Sequence, residues 1–445
     1  MTVTSIVDPR TGEAYAQLAV ASVEEIDRAV ARAKDALPQW KSATPAERQE
    51  ALLELAAAID RAKDELADIE GRNTGKDREQ VRDTEIPAAI DVLRFMAGAA
   101  RAMSAPGPGE YVTGFSSLAV REPVGVCALI TPWNYPLGSA IDKLAPALAT
   151  GNTAVLKPAE TTPLSSVFLW ELSRGILPDG VFNVVCGDRS TGRRLAQHPR
   201  VDLVSLTGST AAGHDVASSA GLKRLHLELG GNAPALVFAD ADLGAAAETL
   251  VEAATFNAGQ DCTAASRVLV EASGYEAFLE LLVARAAECI VGPLNSREHR
   301  DRLAAKMAAL PAHARVLVGG APDEGPGFYF PATVISDVRQ SDPIVQEETF
   351  GPVLTVQRFN SEDEALLLSN DVPLGLAASV WTDDALRAHR CAAQLDVGTV
   401  WVNCHGIYAT EMPHGGVKQS GYGKDLSIYA LDAYTQVKHV MHATG

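Results

Sequence analysis

Val124-Gly-Val-Cys-Ala-Leu-Ile-Thr-Pro-Trp-Asn-Tyr-Pro136 is the stretch on which the fold turns. Val124–Thr131 is a short apolar run, the form of a strand covered on both faces, and Pro132 and Pro136 end it in a stiff turn. Downstream, short apolar runs alternate with helical patterns, the rhythm of a parallel sheet. Thr153–Leu156, Val181–Cys186 and Leu203–Thr207 read as strands, with helices over Pro163–Leu172 and Thr191–Gln197. A second series follows Ala235. Its strands are Arg267–Val270, Arg315–Val318, Val353–Phe359 and Ala378–Trp381, and its helices Ala241–Ala258 and Tyr275–Cys289. Ser361 with Glu364 caps a further short helix. The expected class is α/β.

Upstream, residues 22–36 and 44–70 read as amphipathic helices opened by capping boxes, Ser22 with Glu25 and Thr44 with Glu47. In the second, Leu52, Leu55, Ala56, Ile59, Leu66 and Ile69 recur at helical spacing and predict one buried stripe. Another helix is expected over Glu85–Met103 before Ala105-Pro-Gly-Pro-Gly109 breaks the pattern. Gly71-Arg-Asn-Thr-Gly-Lys76 is one residue short of a phosphate loop and reads as a helix-ending turn. Tyr434–His442 reads as a lone strand completing a sheet elsewhere, in this chain or in a partner subunit.

A chain of 445 residues exceeds what one core supports, so two or three domains are expected. A net charge of -18 argues against nucleic acid and anionic membrane surfaces as partners. No run is long and apolar enough for a membrane span, and the N-terminus lacks the form of a signal peptide. The 6 cysteines are scattered without a CxxC pair. That spacing predicts reduced thiols in a cytoplasmic protein, with no disulfide framework and no metal site.

Chemistry concentrates in Asn257-Ala-Gly-Gln-Asp-Cys-Thr-Ala-Ala-Ser266. Small neighbours leave Cys262 open to a substrate, and a thiolate is a strong nucleophile that needs no metal. A free cysteine more often simply fills core. Leu227-Glu-Leu-Gly-Gly-Asn-Ala-Pro234 adds a carboxylate before paired glycines, and the proline-bounded turn adds an amide. Cys262, Glu228 and Asn134 thus read as nucleophile, base and oxyanion donor.

Taken together and in order, Pro132-Trp-Asn-Tyr-Pro136, Lys157-Pro-Ala-Glu160, Leu206-Thr-Gly-Ser-Thr210, Glu228-Leu-Gly-Gly231, Gly259-Gln-Asp-Cys262, Glu347-Glu-Thr-Phe-Gly-Pro352 and Gly415-Gly-Val-Lys-Gln-Ser-Gly421 resemble the NAD(P)-dependent aldehyde dehydrogenases. Within that superfamily, the segment around Cys262 and Phe95-Met-Ala-Gly-Ala-Ala-Arg101 look most like aminobutyraldehyde (aminoaldehyde) dehydrogenases. The resemblance implies a Rossmann-type cofactor domain (1–104 and 121–229), an α/β catalytic domain (230–413) and a return segment (414–433). A small β oligomerisation element (105–120 and 434–445) would then build a homodimer or homotetramer.

It also implies a mechanism. Cys262 would form a thiohemiacetal with the aldehyde and then a thioester, with Asn134 holding the oxyanion and Glu228 activating the hydrolytic water. By matching position, Lys143 and Asp425 would relay the proton. For the cofactor, Thr131, Trp133, Lys157, Pro158, Glu160, Gly187, Gly208, Ser209, Glu348 and Phe350 are implied. Glu160, able to accept from a free 2′-hydroxyl and to repel a 2′-phosphate, predicts NAD. Asp142, Asp261, Phe256, Tyr408 and His414 are implied on the substrate side. Asp142 and His414 stand where relatives often carry aromatics, and residues 296–314 are short. The leading hairpin of full-length members is expected to be missing. Two carboxylates at the channel, with Tyr408 and Trp133 adding cation–π attraction, would select an ω-aminoaldehyde such as 4-aminobutanal. Against that, Asp261 would merely brace the Cys262 loop and Asp142 would pair with a neighbouring cation. A semialdehyde or general aliphatic aldehyde dehydrogenase is the alternative, and an inactive binding homologue the reading from another class.

Overall fold

The computed structural model describes residues 3–103, 105 and 107–444; Met1, Thr2, Ser104, Pro106 and Gly445, which the expected domain limits include, lie outside the described residues. The chain is α/β, as the alternating pattern predicts, and its strands sort into separate sheets.

The first large sheet has 6 strands. Val126–Ile130 lies inside it, with Thr153–Lys157 and then Phe182–Val184 parallel on one side and Leu203–Thr207 and then Arg224–Glu228 parallel on the other. Strand order therefore reverses at Val126–Ile130, and a crevice opens beyond the carboxyl ends of these strands. Gly421–Tyr422 returns antiparallel onto Glu228 and Leu227 at the outer edge. The Arg224–Glu228 strand has no counterpart in the sequence reading, since Arg224 and His226 break its apolar run. The second large sheet has 7 strands, ordered from Arg315–Val318 through Thr333–Ser336, Val353–Phe359, Arg267–Glu271, Pro234–Val237 and Ala377–Trp381 to Thr399–Val402.

Helices pack on the first sheet through an apolar cluster. Val23–Ser42 opens with the capping box Ser22/Glu25 and runs through Pro38, beyond the expected end at 36. Trp40 holds that last turn, its ring buried and its Nε1 donating to Leu148 O at 3.1 Å. The single helix expected over 44–70 is two, Pro45–Arg61 and Lys63–Thr74, with Ala62 bent out of helical geometry between them. Past that break Glu70, not Ile69, turns inward, and its Oε1 accepts from Leu137 N–H at 3.1 Å. Gly75 then ends the helix in the left-handed conformation, where a side chain would strike Pro293, as the turn reading requires.

The N-terminus forms a hairpin, Val3–Asp8 with Glu13–Ala19. The terminal strand Thr435–Ala443 needs no partner subunit, since it pairs antiparallel with Phe115–Pro123 of its own chain, which also pairs Gly109–Val112.

Candidate active site

The loop holding Cys262 begins where the helix Leu243–Thr255 stops short of its expected end at Ala258. Asn257, Ala258 and Gly259 follow with φ of 48°, 57° and 69°, a run of left-handed backbone that costs about 1 kcal/mol or more at each non-glycine residue. Cross-links hold it there. Asn257 Nδ2 donates to the carbonyls of Asn134 (3.1 Å) and Gln260 (3.2 Å), and Gln260 Nε2 returns a bond to Asn257 O at 2.8 Å. Gly231 explains one of the paired glycines: a Cβ there would lie 1.9 Å from the Cys262 carbonyl oxygen.

Asp261 is used within this loop. Its Oδ1 accepts from the backbone N–H and the hydroxyl of Thr263, both at 2.7 Å, and its Oδ2 from Tyr135 Oη at 2.7 Å. With both oxygens engaged it braces the loop. His405 Nε2 donates to Thr263 O at 2.7 Å while its Nδ1 meets Ser379 Oγ at 2.9 Å. The loop is thus tied to the neighbouring strand.

Around the sulfur, ligand-capable atoms of Glu228, Cys262 and His414 all lie within 4.8 Å of one another. Burial, reinforced by the charges of Glu228 and Asp261, pushes the Cys262 thiol well above its ordinary range, so the resting group is a thiol. Glu228, last residue of its strand, is buried and its Oε1 has no hydrogen-bond partner. Asn134 donates from Nδ2 to Gln260 O at 3.0 Å, which orients the amide and leaves its second N–H for an oxyanion.

Behind them lies a buried ionic cluster. Lys143 Nζ stands 3.5 Å from Asp425 Oδ2, and His226 Nε2 3.5 Å from Asp425 Oδ1. Burial works against the Asp425 carboxylate, but Lys143 and the two histidines outweigh it and hold its pKa below the usual value. Asp142, one residue before Lys143, is pushed up to about 7 by burial and then by the charge of Asp425. It makes no ion pair among the described residues and stays partly accessible, so it does not simply pair with a cation.

The crevice of the first sheet gathers the implied cofactor residues. Thr131, Lys157 and Gly208 lie at or just beyond the ends of adjacent parallel strands. Thr131 Oγ1 is buried without a partner. Lys157 is buried with its Nζ 3.5 Å from Glu160 Oε2, and Pro158 turns the chain between them. A Cβ on Gly187 would strike Thr191, whereas Gly208 meets nothing closer than 3.5 Å and leaves the start of the Thr210–Ser219 helix open, capped by Ser209. Glu348 Oε1 accepts from Gly231 N–H at 2.9 Å, and burial pushes its carboxyl up to about 7. Phe350 has φ 54°, held by His299 Nε2 on its carbonyl (2.6 Å) and by an edge-on contact with Trp133, 5.3 Å between ring centres.

Trp133 and Tyr408 make no ring contact with each other among the described residues. Trp133 packs on Phe350 and His299, while Tyr408 packs on Trp401 and His414. Phe256 lines a cavity of about 730 Å³ with Lys76, Glu252 and Asn257, which Cys262 does not line. Sequence reasoning passed over Tyr135, whose ring carries Lys76 Nζ at 3.9 Å; its place beside Asn134 was the available signal. His226, His299 and His405 carried none.

Comparison with known proteins agrees over nearly the whole chain. The profile of the aldehyde dehydrogenase family matches residues 2–440. A betaine aldehyde dehydrogenase of Bacillus subtilis (strain 168) is 40% identical over 461 residues, covering 99% of this chain and 94% of its own. The crystal structure of betaine aldehyde dehydrogenase from Staphylococcus aureus in complex with NAD+ superposes with a TM-score of 0.97 at 35% identity, covering 99% of this chain and 92% of that one. PnpE from Pseudomonas sp. WBC-3 gives a TM-score of 0.97 at 36% identity, covering 100% and 94%.

Proposed function

The chain belongs to the aldehyde dehydrogenase family, and from that premise we propose that it oxidises an ω-aminoaldehyde to the carboxylic acid with NAD. The observation that carries the chemistry is the convergence of Cys262 and Glu228 beside the oriented amide of Asn134. Cys262 adds to the aldehyde carbon, and the Asn134 amide holds the oxygen that becomes charged. Glu228 takes a proton from the water that hydrolyses the thioester. Lys143 and Asp425 carry that proton away through the buried cluster. NAD, when bound, supplies the hydride acceptor.

The crevice suits such a dinucleotide. It lies at a strand-order reversal, holds an unpartnered Thr131 hydroxyl and presents the open backbone at Gly208 and Ser209. Lys157 and Glu160 would meet the adenosine ribose, and Glu348 the nicotinamide ribose, with Trp133 and Phe350 beside the ring. On the separation of the two sheets we assign cofactor binding to 1–104 and 121–229, catalysis to 230–413 and the return to 414–433. Tyr111, Val112, Val437 and Met441 leave an exposed apolar surface on the small sheet, which supports a homodimer or homotetramer built through 105–120 and 434–445. With NAD, kcat/KM is expected to exceed that with NADP by about tenfold or more, about 1.4 kcal/mol. Glu160→Ser should narrow the gap by removing repulsion of the 2′-phosphate. Preference of the wild type for NADP would refute this role of Glu160.

Substrate charge rests on Asp142. Its carboxyl, accessible in a deep site, titrates near 7, and an ammonium group would favour its ionised form. The similar bacterial betaine aldehyde dehydrogenases act, by name, on a cationic aldehyde. Across a panel of amino-terminated, neutral and acidic aldehydes, 4-aminobutanal is expected to give a higher kcat/KM than succinic semialdehyde. Because the Asp142 pKa is raised, its charge appears only as pH climbs through about 7. The advantage of the amine over a neutral aldehyde of equal length should therefore grow from acid to alkaline pH, and Asp142→Asn should flatten it. Equal losses on both substrates would instead tie Asp142 to holding the Lys143–Asp425 pair.

A further inference from the structure

His414 stands where the family resemblance leads one to expect an aromatic lining the channel, yet its surroundings are those of a proton-handling group. Its backbone exchanges hydrogen bonds with Asp425, at 2.9 and 2.8 Å, so the chain direction there is locked. The Tyr408 ring packs edge-on against the imidazole, 5.2 Å between centres. Nε2 lies 3.7 Å from Glu228 Oε1, too long for a hydrogen bond but close enough for an ion pair once the ring is charged. Cys262 lies within 4.8 Å of both. Glu228 Oε1 and His414 Nδ1 are buried and without partners, a state that buried polar atoms rarely keep.

We propose that His414 is a second catalytic base of this enzyme, taking the thiol proton of Cys262 as its sulfur attacks the aldehyde and leaving Glu228 for water. The inference rests on Cys262 being the nucleophile. In the step the S–H bond breaks and its electron pair forms the C–S bond. The carbonyl π pair moves to oxygen beside Asn134, and the proton ends on an imidazole nitrogen; nothing is oxidised or reduced. The reason for a second base is a conflict of protons. A lone buried carboxylate that accepted the thiol proton would have to release it before it could accept one from water. Two bases keep the protons apart.

The ring faces Glu228 from its strand end, Asp425 from the return segment, Asp142 from the helix Pro136–Ala149, and Cys262 and Asp261 from the loop. Burial disfavours the imidazolium, but Glu228, Asp425 and Asp261 outweigh it and raise the His414 pKa. A base of raised pKa accepts protons only above it, so attack by the thiol should quicken as pH climbs through that value.

The test is alkylation of Cys262 by iodoacetamide in the apo-enzyme with EDTA present, followed by mass spectrometry from about pH 6 to 10. In wild type the rate is expected to rise through the His414 titration, and in Glu228→Gln, which lacks the carboxylate that raises the His414 pKa, the same rise is expected at lower pH. In His414→Phe and His414→Gln it should rise only where the thiol ionises by itself, with a loss of about tenfold or more near neutral pH. In His414→Gly, added imidazole should restore part of the rate, which a purely structural residue would not allow. Superimposable pH profiles in wild type and in the folded His414 variants would overturn the proposal. So would loss of the neutral-pH rate in Glu228→Gln alone, which would give the thiol proton to the carboxylate. Failure of the underlying reading looks different: Cys262→Ala would still turn over aldehyde.

Discussion

Cys262→Ala is expected to abolish aldehyde oxidation while NAD still binds and the melting temperature stays close to that of the wild type. The side chain is partly accessible, and the close contact that shapes its loop is made by the Cys262 carbonyl against Gly231, which the substitution leaves in place. The bonds that brace the loop run through Asp261, Thr263, Asn257 and Gln260, none of which involves the sulfur. What is lost is the atom that forms the covalent intermediate. Burial raises the thiols of Cys127, Cys186 and Cys391, so no substitute is at hand among them. Turnover should fall below about a hundredth of wild type, at least about 2.7 kcal/mol in barrier. Retention of more than that fraction, in a variant shown by fluorescence titration to bind NAD, would place the nucleophile elsewhere.

Glu228→Gln is expected to split the reaction. The amide keeps the size of a side chain that sits buried at its strand end between Thr207 and Gly421, so the sheet should hold. An amide cannot take a proton from water at neutral pH. Hydrolysis of the thioester should slow by about a hundredfold or more, within the range general-base catalysis commonly contributes, while the first turnover still delivers a rapid burst of NADH. Rapid mixing of enzyme, NAD and aldehyde separates the two phases. A steady-state rate near that of the wild type, or loss of the burst with intact cofactor binding, would remove Glu228 from the hydrolytic step.

Much of this is legible in the amino-acid sequence. The capping boxes at Ser22 and Thr44 are local, and both helices begin where those residues place them. The run Val124–Thr131 is apolar on both faces, and such a run becomes a central parallel strand regardless of what it pairs with. The order of short motifs pointed to the family and, through it, to the chemistry of Cys262, Glu228 and Asn134.

Other features were decided by partners far away in sequence. Arg224–Glu228 becomes a strand because Leu203–Thr207 and Gly421–Tyr422 flank it, against the polar side chains that interrupt its pattern. Asp261 looks like a free carboxylate beside a nucleophile until the Tyr135 hydroxyl, 126 positions away, takes one of its oxygens. Asp142 is left without an ion pair among the described residues, and burial, then the charge of Asp425, pushes its carboxyl up to about 7. The left-handed run at Asn257 and Ala258 runs against local preference and persists because Asn134 and Gln260 hold it. Caps and apolar runs act over a few residues and can be read from the chain. Protonation, loop strain and the engagement of a carboxylate depend on which distant groups share a low-dielectric space, and only the tertiary structure brings those groups together.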